Sequence, residues 1–171
     1  LTFPAWDCLP YDRVSPNAGF VAQRMTTLSR LARVQGHDRP SVLLTTVNAA
    51  LQRVPARDFV ARQSLSVAPG NVLAMDGITG WLELNGFLRA STVREPGDYA
   101  VRGGIVDLFA PGMELPVRLD FFGDTLESIR SFDPETQRTA GQLRAIDLVP
   151  VAEFQLTRET IHRFREGYLA A

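Results

Sequence analysis

Apolar and polar side chains alternate with a period of two through PVRLDFF. Val117, Leu119 and Phe121 fall on one face of the strand this predicts, and Arg118, Asp120 and Phe122 on the other. Further strand-like runs lie around it: FLRASTV, DYAVRG, GIVDLF and LESIRSF. They are separated by EPG, APGMEL and FGD, which carry the glycine, proline and aspartate of turns. Connections this short join antiparallel neighbours. The apolar face of PVRLDFF is expected to share a core with Ile105 and Phe109 and with a helix bearing Ile78, Trp81, Leu82 and Leu84. Asp76 would cap that helix and Gly86 would end it, and SLSVAPG before it reads as a strand entering a turn.

The first 60 or so residues have another texture. LTFPAWD is short and β-like, and LPYDRVSP is a loop bracketed by prolines. Ser15 as N-cap with Pro16 in the first helical position opens a helix that runs to about Arg33, with Val21, Met25, Leu28 and Ala32 along one side. QGHDRP reads as a turn, SVLLTT as a buried strand, and TVNAALQRV as a short helix stopped by Pro55. Two such units cannot close a doubly wound sheet, so a share in a larger domain is expected. Near the other end a helix starts around Thr157, with Ile161, Phe164 and Tyr168 at helical spacing. The fold class expected is α+β: a mixed, largely antiparallel sheet with flanking helices, preceded by a partial α/β segment.

Composition narrows the chemistry. Of 171 residues, 45% are hydrophobic and 22% charged, the balance of a soluble globular chain. No apolar run approaches the ~18 residues of a membrane span, and no basic-then-apolar signal segment opens the sequence, so a cytoplasmic location is expected. A net charge of −1 exerts no general pull on nucleic acid or anionic membranes. All 18 basic residues are arginine; without lysine there is no phosphate-binding loop of the G-x-x-x-x-G-K type and no Schiff base. Cys8 is the lone cysteine, and His37 and His162 have no second ligand at a metal-binding spacing. No G-x-S-x-G elbow occurs. Asp120, Asp124 and Glu127 read as solvated hairpin ends rather than a carboxylate pair, and the glycines after Arg102 as a β-bulge or a point of close backbone approach. Neither an enzyme nor a stable nucleic-acid binder is expected from these residues.

The polar face of PVRLDFF needs another reason. A phenylalanine beside Arg118, with Arg102 on a nearby strand, has the composition of a protein-binding hot spot. In the competing reading Phe122 curls under the hairpin and Arg118 pairs with Asp120 or Asp124.

DYAVRGGIVDLFAPG, ELPVRLDFFGDTLESIRSFDPETQRT and LPYDRVSP together resemble the UvrB-homology module of the bacterial transcription-repair coupling factors (Mfd), over nearly the whole chain. VRG…DLF and R-x-x-FFGD occur in related form in UvrB itself. The YDRVSP loop, however, runs straight into its helix, without room for the DNA-gripping hairpin that UvrB inserts nearby. The resemblance implies three parts: residues 1–62 as a piece of a degenerate helicase-like domain, 63–149 as a compact domain that binds the damage-recognition protein UvrA, and 150–171 as the start of a helical subdomain. It assigns UvrA contacts to Arg102, Arg118 and Phe122, with Asp120 at the rim. It implies no cofactor for this stretch. ATP and Mg, RNA polymerase and double-stranded DNA are the ligands and partners of the full-length translocases of that family. The alternatives are a piece of UvrB acting on damaged DNA and a module that holds a longer protein inhibited by packing on its other domains.

Overall fold

In the computed structural model, residues 1–8, 13–34 and 42–169 are described. The QGHDRP turn with His37, and part of the LPYDRVSP loop, lie outside them. The N-terminal part pairs β1 (Thr2–Phe3) in parallel with β2 (Leu44–Thr45) and packs α1 (Ala18–Arg33), α2 (Val47–Leu51) and α3 (Arg57–Gln63) around them. Asn17, not Ser15, caps α1: its side chain accepts from the Gly19 amide at 2.8 Å, and its carbonyl accepts the first helical bonds. SVLLTT is not a buried strand. Its strand is two residues long with one partner among the described residues, and Val42, Leu43 and Leu44 are exposed. Helix α3 follows Pro55 without an apolar stripe to announce it; only Val60 is buried.

One side chain ties this part together. Arg24 lies in the middle of α1 and is fully buried. Its guanidinium stacks on Phe3 and Trp6, with ring centroids 4.2 and 5.3 Å away. It donates to the Pro4 carbonyl and to Gln52 Oε1, each at 2.9 Å, and forms a two-pronged pair with Glu153, whose Oε1 also accepts from Trp6 Nε1. A buried guanidinium is tolerable when its donors are matched in this way.

From Leu65 onward the chain builds the larger body. The strand β3 (Leu65–Val67) pairs antiparallel with β10 (Ile146–Leu148), bringing the two ends of the intervening segment side by side. Between them runs a six-stranded sheet in the order β4 (Leu88–Arg89), β5 (Asp98–Arg102), β6 (Ile105–Leu108), β7 (Val117–Phe122), β8 (Thr125–Phe132), β9 (Thr139–Leu143). Only β4–β5 is parallel. Helix α4 (Met75–Leu84) covers the inner face with Ile78 and Leu82; Asp76 sits in its first turn rather than at the cap. FLRASTV supplies only the two residues of β4; Phe87 before them is buried in the main core, and the stretch after them leads to the outer face of the sheet. There Val93 joins Ala100, Phe109 and Phe132 in a small second core. Helix α5 (Arg158–Leu169) closes the described chain with no buried residue.

The phase of β6 is opposite to the sequence expectation. Val106 faces Leu119 and Leu108 faces Val117 in the main core, which leaves Ile105 and Asp107 on the outer face and Phe109 in the second core. This reversal puts a carboxylate next to Arg118.

Candidate partner-binding face

The outer face of the sheet is read most simply as rows across the strands. One row is Ala100, Asp107, Arg118, Arg130 and Gln142; the next is Arg102, Ile105, Asp120 and Ser128. Arg118 and Arg130 stand directly opposite each other, an arrangement that costs energy unless the charges are neutralised. Two aspartates do this. Arg118 donates through Nε and Nη2 to the two oxygens of Asp107 at 2.7 and 2.8 Å, a fork-to-fork pair. Its guanidinium also lies over the Phe132 ring, 4.9 Å from the centroid. The Asp107 hydrogen bonds raise the Arg118 pKa above its ordinary value, so the group stays charged. Arg130 turns to Asp120 instead, donating from Nε at 3.0 Å and Nη2 at 2.5 Å to Oδ2, which also accepts from Ser128 Oγ at 2.6 Å.

Phe122 stands at the end of β7, past a register shift between Asp120 and Phe121. Phe121 packs against the main core while Phe122 is 76% exposed. The two-residue loop Gly123–Asp124 closes the hairpin, and Gly123 takes a left-handed φ of 58° that suits glycine. The neighbouring hairpin turns through Gly103 and Gly104, where a Cβ on Gly104 would lie 2.8 Å from the Phe121 carbonyl oxygen. The glycines after Arg102 thus allow close backbone approach, and the bulge lies instead on β8, where Glu127 is the extra residue between Leu126 and Ser128. Arg102 is exposed at the end of β5 and donates to the Ser91 carbonyl at 3.1 Å.

The outward phase read for Arg118, Asp120 and Phe122 therefore holds, but the three differ in availability. Phe122 is open, Arg102 is exposed, and Arg118 is largely committed to Asp107, with 19% of its side chain exposed. The competing reading fails on both counts, since Phe122 does not curl under and Arg118 pairs with neither Asp120 nor Asp124. Asp120 is a paired, half-buried group and not a solvated hairpin end. Sequence reasoning missed Asp107 and Arg130. The two-residue loop alone would have set Arg118 opposite Ile129; the extra residue in β8, at Glu127, shifts the register and brings Arg130 to the outer face, and nothing in the alternation of LESIRSF announces it.

Among the described residues no group of three or more His, Cys, Asp or Glu gathers as a metal site, and no helix is long and apolar enough to cross a membrane. A groove of about 870 Å³ lies elsewhere, between α3 and α5, against Phe59, Ile161 and Phe164.

Residues 65–154 match the family model described as UvrB interaction domain. Among curated proteins, the chain is 39% identical over 163 residues to the transcription-repair-coupling factor of Escherichia coli (strain K12), a match covering 95% of this chain and 14% of that protein. It is 41% identical over 160 residues to that of Myxococcus xanthus, covering 94% and 13%. With the Haemophilus influenzae protein the identity is 36% over 166 residues, covering 97% and 14%. The chain thus spans about 14% of the length of relatives such as the first of these.

Proposed function

We propose, because this chain belongs to the UvrB interaction domain family, that residues 63–149 are a docking module for UvrA and that the outer face of β7 is its contact surface. Residues 1–62 belong in this reading to a helicase-like domain and residues 150–171 to a following helical subdomain. The module is an adaptor. It brings UvrA to a longer coupling protein acting at stalled RNA polymerase, and the ATP-driven work on DNA falls to other parts of that protein. No reacting group of this chain is needed for such a role.

The observation that carries the reading is the exposure of Phe122 at the tip of a hairpin whose other side is locked into the core. A phenyl ring held out on a rigid support loses little conformational entropy when it enters a pocket. Arg102 and the open edge of Arg118 flank it and suit carboxylates around an apolar pocket. Burying most of an aromatic ring at about 25 cal/mol per Å² contributes roughly 2–3 kcal/mol. Phe122→Ala should therefore weaken UvrA binding by about 30- to 150-fold. Because the ring touches little of its own domain, the melting temperature should hardly move. Isothermal titration of UvrA with wild-type and variant chains tests this, and equal affinities would remove Phe122 from the interface.

A further inference from the structure

Arg118 and Arg130 sit opposite each other but are paired in different ways. The Arg118–Asp107 pair uses both carboxylate oxygens, and the Asp107 side chain is only 2% exposed. In the other pair, three donors converge on a single oxygen, Asp120 Oδ2. Oδ1 of Asp120 and Nη1 of Arg130 take no hydrogen bond among the described residues. The Arg130 side chain is also 41% exposed, against 19% for Arg118. An ion pair this open adds little to stability. What the arrangement does provide is position. Ser128 fixes the Asp120 carboxylate, which holds the guanidinium by Nε and Nη2 and leaves its other edge, at Nη1, free to take an acceptor. Asp120 and Phe122 share one face of β7, so this edge lies on the same surface as the exposed ring.

We infer that Arg130 is a further partner-contacting residue of the docking face, held by Asp120 and Ser128 so that its Nη1 edge takes a carboxylate of the partner. The inference rests on the docking reading above. It describes the partner surface as an apolar pocket for Phe122 with an acidic side chain on the β8 side, in addition to any carboxylate that meets Arg102. A guanidinium already oriented gives up less side-chain freedom on binding than a loose one would. Asp120 and Ser128 act here as positioning residues.

UvrA is titrated with the wild-type chain and with Phe122→Ala, Arg130→Ala, Arg130→Gln and Asp120→Asn, at low and raised salt, with a thermal melt of each. Both Arg130 variants should bind at least tenfold more weakly, with melting temperatures near wild type. Their affinity should also fall less steeply with salt, because a charge contact has been removed. Asp120→Asn should weaken binding by a smaller factor, since the guanidinium remains but is less well held. If Phe122→Ala loses binding while both Arg130 variants bind like wild type, the inference falls and the docking face stands. If Phe122→Ala also binds like wild type, the docking reading itself falls and takes the inference with it.

Discussion

Replacing Arg118 by alanine tests the site in two ways at once, and the structure says how to separate them. Asp107 is 2% exposed, and both of its oxygens are occupied by Arg118, so truncation strands a buried carboxylate. Losing one partner of a buried pair costs about 3–5 kcal/mol. Some water will enter along the path of the departed side chain, which was itself 19% exposed, so the lower end of that range, about 3 kcal/mol, is the better figure. For a chain of 171 residues this corresponds to a fall in melting temperature of roughly 6–12 °C. Weakened UvrA binding by Arg118→Ala alone would therefore mix a lost contact with a disturbed sheet. The paired replacement Arg118→Met/Asp107→Leu removes both charges while keeping volume, and exchanges of this kind are often neutral in stability. It should melt within about 2–3 °C of wild type, because no lone charge is left behind. Scanning calorimetry and UvrA titration on the same three proteins give the result. If Arg118→Ala melts like wild type, the pair with Asp107 has no structural weight and the reasoning fails. If the paired variant also binds UvrA like wild type, Arg118 serves the fold and not the partner.

Two further perturbations follow from the same geometry. Gly104→Ala would set a Cβ 2.8 Å from the Phe121 carbonyl, a backbone atom that cannot swing aside. A loss of about 1–3 kcal/mol is expected in urea unfolding, together with weaker UvrA binding as the Phe122 hairpin shifts; Gly77→Ala, with open space on α4, should instead be neutral or mildly stabilising. The Asp147 carboxyl is held below its ordinary pKa by hydrogen bonds from Ser66 and Arg33, so its contribution is complete above the unfolded value of about 3.9 and is lost as pH falls through the lower folded value. Asp147→Asn should accordingly flatten the decline in stability between about pH 5 and pH 2, and an unchanged acid-side slope in urea midpoints would refute this.

How legible the fold was depended on how singular each local pattern was. PVRLDFF alternates without ambiguity, and its two faces came out as read. In IVDLF both phases carry apolar residues, and only the length of the Gly103–Gly104 turn decides between them; the inner phase is Val106 and Leu108. TAGQL has no hydrophobic signal to mark β9, because an edge strand with a mostly solvated surface needs none. SVLLTT shows the opposite failure, apolar residues that the described chain leaves uncovered. Arg24 was invisible for a different reason. A basic residue in mid-helix reads as solvent-facing, and its burial depends on Phe3, Trp6, Gln52 and Glu153, which no local window contains together. The candidate site was legible in its exposed members, Arg102 and Phe122, and obscure where the charges neutralise one another.

The Arg24–Glu153 clasp also bears on where this protein can be cut. The family match runs from 65 to 154 and so takes in Glu153, while Arg24 and Trp6 lie upstream of it. Excision at those borders would keep the acid and discard the base that shields it, leaving a raw anion at the seam. Trimming just after the β3–β10 zipper instead would spare the excised piece that liability, and would show whether the sheet keeps its shape without the upstream helices.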